Sequence, residues 1–135
     1  MSIYQRDPAA PGANIRRRAA EPIDARLEAA VISFNASEAG RTVAGLARSL
    51  GRPRASVGAA AGSLSQARIT VAWELCWYQW GVDFSSGEVF ELGRGSELET
   101  LDRAARHWNA EIGEGAQIVF GAAGRPRRRG WLRRR

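Results

Sequence analysis

The sequence predicts an α+β domain in which three helices precede an antiparallel β-hairpin, a further helix and a short last strand. Three observations lead there. Apolar residues recur at helical spacing through the first half, they switch to alternation from Ile69, and turn-forming clusters lie at 35–40, 83–87 and 93–95.

Residues 21–35, EPIDARLEAAVISFN, read as the first helix, with Pro22 near its start and Ile23, Leu27, Ala30, Val31 and Phe34 on one face. Thr42 is a fitting N-cap for the second helix, Leu46, Ala47 and Leu50 face inward, and Gly51 can take the positive φ that ends it. Pro53 suits the first turn of a third helix, which Val57 anchors in the core. From Ile69 the period becomes two: Ile69, Val71, Trp73, Leu75 and Trp77 line one face of a strand, opposite Thr70, Ala72, Glu74, Cys76 and Tyr78. The run DFSSG at 83–87 is a turn into a second strand through Val89, Phe90 and Leu92. Ser96 then caps a helix in which Leu98, Leu101, Ala105 and Trp108 share a face, and QIVFG at 117–121 is the last strand.

A chain of 135 residues holds one domain, and its ends are set apart by composition. Residues 1–20 contain Pro8, Pro11 and the run Arg16, Arg17, Arg18 without apolar periodicity, and residues 125–135 read RPRRRGWLRRR; both are expected to be disordered and basic. Residues 21–124 form the folded body. The net charge of +6 hides a segregation along the chain. Between Ala39 and Trp73 stand five arginines (Arg41, Arg48, Arg52, Arg54, Arg68) and no acid, whereas 74–124 holds nine acids against three arginines. An acid-free basic segment is the footprint of a surface that meets phosphates.

The stretch TVAGLARSLGRPRASVGAAAGSL, residues 42–64, resembles the helix-turn-helix domains of bacterial transcription regulators: Ala47, Gly51 four positions on, Val57 six further, and the flanking Leu46 and Leu50 fall at that family's spacing. Three helices followed by a hairpin is the order of a winged helix. The segment WELCWYQWGVDF is also similar to small uncharacterised bacterial proteins that carry the same motif. The resemblance implies a third helix entering the major groove of double-stranded DNA, with Arg41, Arg48, Arg52, Arg54 and Ser56 making the contacts. Only Arg54 can form a bidentate contact to guanine, and Gly58 and Gly62 each weaken the helix by roughly 1 kcal/mol, so low sequence specificity is expected. Tail residues Arg125, Arg127, Arg128 and Arg129 add sequence-independent affinity. Gly124, Arg125, Pro126 and Arg127 resemble the core of an AT-hook, although Ala123 stands where that motif has a basic residue.

The hairpin tip carries Asp83 and Glu88, which repel phosphate, so the hairpin is not expected to serve as a wing on DNA. Trp73 and Trp77 are expected in the core, while Tyr78 and Trp80 project the other way as an interaction surface for a homodimer or a protein partner. Two function classes follow. One is a DNA-binding regulator or nucleoid-associated factor; the other is a protein-interaction module that keeps the helix-turn-helix fold and binds through the acidic, Trp-rich hairpin. The sole histidine, His107, and the sole cysteine, Cys76, have no companions for metal ligation or nucleophilic catalysis, and lysine is absent, so neither an enzyme nor a cofactor is expected. A lone cysteine and the absence of any long apolar run point to the cytoplasm, at the nucleoid, and to no membrane.

Overall fold

The computed structural model describes residues 22–60 and 63–121. Helix α1, Ile23–Ala36, buries Leu27, Ala30, Val31 and Phe34 of the face its spacing predicts, while Ile23 at its first turn is exposed. One residue, Ser37, joins it to α2, Glu38–Leu50: the Ser37 N–H donates to the Phe34 carbonyl and its hydroxyl accepts from the Ala39 N–H. The cap is therefore Ser37, five residues ahead of Thr42. The tight joint depends on Gly40, where a Cβ would come within 2.7 Å of the Asn35 carbonyl oxygen and 2.8 Å of that of Phe34. Gly51, at φ +93°, ends α2 as expected.

No third helix follows. The chain passes directly into strand β1, Arg54–Ala59, then β2, Gln66–Ala72, β3, Trp77–Asp83, and β4, Val89–Gly95, which form an antiparallel sheet in the order β1-β2-β3-β4. Among the described residues two helices on a four-stranded sheet leave no three-helix core, so the structure overturns the helix-turn-helix and winged-helix expectation while keeping the α+β class. The segment RASVGA is too rich in Ser, Val and Gly to hold a helix by propensity alone, and pairing of all six of its residues with Ala67 to Ala72 of β2 forms the ladder while Ala55 and Val57 are buried. Pro53 precedes the strand, where its missing N–H costs no ladder bond.

The strand expected to run from Ile69 through Trp77 is two strands. The Trp73 N–H donates to the Cys76 carbonyl at 2.8 Å, closing a two-residue loop of Glu74 and Leu75, and Ala72 then pairs with Trp77. That reversal swaps the faces: Val57, Ile69 and Trp80 lie in register on the helix side, whereas Trp77 stands on the other. Trp80 is consequently core, 6% exposed, with its ring 5.1 Å from that of Phe34 and stacked on Tyr78 at 5.7 Å. Tyr78 is half-buried in the same aromatic row. The expectation of an outward-facing Tyr78 and Trp80 is thus corrected by register. The DFSSG turn forms as expected: the Asp83 carboxylate accepts from the Ser85 and Ser86 N–H groups, and Gly87 has φ +77°.

The second face of the sheet is crossed by a strap. In place of the helix expected after Ser96 there are single 3-10 turns at Leu98–Thr100 and Ala104–Arg106, the second packed on β1 and β2, with Leu101 and Ala105 buried. The Asp102 carboxylate takes the Ala105 N–H and both guanidinium nitrogens of Arg68, at 2.9 and 3.0 Å, which ties the turn to β2 at the expense of a continuing helix. A two-stranded sheet, β5 at Glu111–Ile112 and β6 at Ile118–Val119, closes the described chain.

Two asparagines finish edges that strands do not. Asn109 accepts from the Val57 N–H at 2.9 Å and donates to the Val57 carbonyl at 3.0 Å, acting as one rung of a ladder along β1; Asn35 does the same for Ile118. Replacing Asn109 with leucine leaves both Val57 groups without these partners in a strand whose neighbours are buried. The expected cost is about 1–3 kcal/mol in urea denaturation, and an unchanged midpoint contradicts the clamp.

Candidate nucleic-acid interface

The acid-free segment folds into three differently placed pieces. Helix α2 turns Ala39 and Val43 into the core and leaves Arg41, Thr42, Arg48 and Ser49 exposed. Arg41 and Arg48 are seven residues apart and so share one face, about 10 Å along the axis. Among the described residues no hydrogen bond or ion pair engages either guanidinium, and the Arg48 side chain reaches back toward Gly45, where a Cβ would stand 3.8 Å from its Nη2. Arg52, just past the helix end, is exposed but donates to the Ile112 carbonyl.

Arg54 and Ser56 leave that surface altogether. Both belong to the strap side of β1. Ser56 is 3% exposed, and its hydroxyl accepts from the Trp108 N–H at 2.7 Å, so the position expected to read DNA instead holds the strap. Arg54 is exposed, with its guanidinium carbon 4.5 Å from the centroid of the Trp108 ring. Beside this pair the second strap turn exposes Arg103, Arg106 and His107. Trp108 itself has φ +47°, an uncommon conformation for a bulky side chain, imposed by the Ser56 contact on its N–H and the Asn109 clamp that follows. This second basic group is not evident from the sequence; its signal is the run RAARHW at 103–108, which the helical spacing of Leu101, Ala105 and Trp108 masks.

The other described arginines are occupied. Arg68 is held by Asp102, whose carboxyl lies below the usual carboxylate range chiefly because of the Arg68 hydrogen bonds, then the Ala105 N–H. Arg94 pairs with Glu91 at 2.8 Å and lies over Tyr78, and this hydrogen bond also lowers the Glu91 pKa. Arg26 donates to the Leu64 carbonyl and covers the Phe84 ring.

The tail residues Arg125, Arg127, Arg128 and Arg129, and the segment 1–20, lie outside the described residues. The hairpin offers little as an interaction surface through its named residues: Trp80 is buried, Tyr78 is under Arg94, and the outer edge of β4 carries a register shift opposite Gln79 and Trp80 together with the Glu91–Arg94 pair, devices that discourage strand addition. Among the described residues no three His, Cys, Asp or Glu side chains gather as a metal site, and no helix is long and apolar enough to cross a membrane. No family model matches the chain, and neither a curated protein nor a solved structure matches it.

Proposed function

We propose that this chain is a non-catalytic nucleic-acid-binding protein that meets duplex DNA through phosphates and not through base edges. The observation that carries the reading is the open face of α2, where Arg41 and Arg48 stand exposed, with no bonded partner among the described residues and no acid in the chain from Ala39 to Trp73. Two cations held by a rigid helix and followed by Arg52 suit the regular charge of a duplex backbone, while Ala44 and Gly45 between them have no group that reads a base and the hydroxyls of Thr42 and Ser49 do not discriminate among bases. The seven arginines of residues 125–135 add charge of the same kind.

The test is a double substitution, Arg41→Gln with Arg48→Gln, in the full chain. Both side chains are exposed, so the circular dichroism spectrum is expected to stay unchanged. Affinity for a mixed-sequence duplex should fall, and the slope of its logarithm against that of salt should become shallower by about 0.9 for each phosphate the variant no longer neutralises. Wild-type affinity and slope in this variant would overturn the reading.

A further inference from the structure

The strap face carries a second site with different chemistry. Arg54 belongs to β1, its guanidinium is held over the Trp108 indole, and the residue is exposed. A guanidinium held over an aromatic ring, its carbon 4.5 Å from the ring centroid, is a supported stacking surface: the ring restrains one side, and the other can take a nucleobase with less loss of side-chain freedom than an unsupported arginine incurs. Trp108 is held in its strained backbone conformation by two independent contacts, the Ser56 hydroxyl on its N–H and the Asn109 clamp on Val57. Arg106 on the 3-10 turn that packs against β1, and Arg103 at that turn's N-cap, are exposed and add positive charge to the segment that leads into Trp108. Of the acids of the strap and the adjoining β2–β3 turn, Asp102 is paired with Arg68, while Glu74, Glu97, Glu99 and Glu111 are exposed, so the positive charge of the face is that of Arg54, Arg103 and Arg106 themselves.

We propose that this face binds single-stranded nucleic acid, one unpaired base stacking on the outer plane of Arg54 while Arg103 and Arg106 meet the flanking phosphates. A duplex cannot use such a stack, because its base faces are covered by their neighbours; the complementarity is to a strand with splayed bases. Trp108 is a positioning residue here and does not itself touch the base. The inference shares the nucleic-acid reading of α2, but it uses none of the same side chains.

Fluorescence anisotropy of labelled oligo(dT) and of a labelled duplex, with the full chain, separates the two surfaces. Arg54→Lys keeps the charge and removes the planar stack; Trp108→Gly removes the backing ring at a position whose positive φ glycine accepts, so the strap is retained. Each is expected to weaken oligo(dT) binding at least fivefold, the lower end of what one stacked base contributes, with duplex binding changed less than twofold. Arg41→Gln with Arg48→Gln should show the reverse pattern. Wild-type binding of oligo(dT) by Arg54→Lys would show that charge alone operates and would overturn the stack; so would a wild-type chain that does not bind oligo(dT). Duplex binding that survives in every variant, with oligo(dT) binding still weakened at least fivefold by Arg54→Lys, would remove the α2 reading and leave this one standing.

Discussion

Trp80→Ala is expected to lower stability by about 3–5 kcal/mol, the largest single effect in the molecule. Trp80 sits at the centre of the helix side of the sheet, 6% exposed, in edge contact with Phe34 of α1 and stacked on Tyr78 of β3. Removing it opens a cavity between α1 and the sheet that neither layer can close, because Ile69 and Val82 around it are already fully buried. The urea midpoint of the variant should fall accordingly. A shift worth less than about 1 kcal/mol would mean that Trp80 lies on the outside of the hairpin, as simple alternation along the sequence suggests.

Two glycines of α2 are expected to respond to alanine with opposite signs. Alanine is the better helix former by about 1 kcal/mol, so at Gly45, where the added Cβ meets only an Arg48 guanidinium nitrogen at 3.8 Å, substitution should stabilise by about that amount. At Gly40 the same Cβ would meet two backbone oxygens, at 2.7 and 2.8 Å, which have no rotamer to yield. The α1–α2 joint must then spread, and overpacking of about 1–3 kcal/mol outweighs the helical gain. Thermal denaturation of the two variants reads the difference. A Gly40→Ala chain more stable than wild type would contradict the close approach of the helices.

What the sequence reveals and what it conceals divide along physical lines. Helix α1, the end of α2 at Gly51, the turn at 83–87 and a strand near Ile118 all carry a strong local signal: a continuous apolar face, a glycine at positive φ, or an Asp-Ser-Ser-Gly cluster. The turn at Glu74 and Leu75 carries none, since neither residue is a turn former, and alternation runs unbroken through it in the sequence. That one hidden reversal exchanges the faces of Trp77 and Trp80 and moves the expected interaction surface into the core. Strand β1 is concealed because its small Ala, Ser and Gly residues match the spacing of a close helix pair although their helix propensity is weak; long-range pairing with β2 makes the segment a strand. At the candidate interface, Arg41 and Arg48 are legible as members of an acid-free run. The Arg54–Trp108 stack is not, because it joins residues 54 positions apart that only the strap brings together.

A chain that recognises the charge of the duplex backbone and not its sequence, as proposed above, binds unrelated duplexes alike. The most direct measurement is affinity for two duplexes of equal length and unrelated sequence across a salt series. Two coincident lines of log affinity against log salt are expected, both falling steeply as the phosphates are screened. Preference for one sequence at every salt concentration, or no binding to either at low salt, would contradict it.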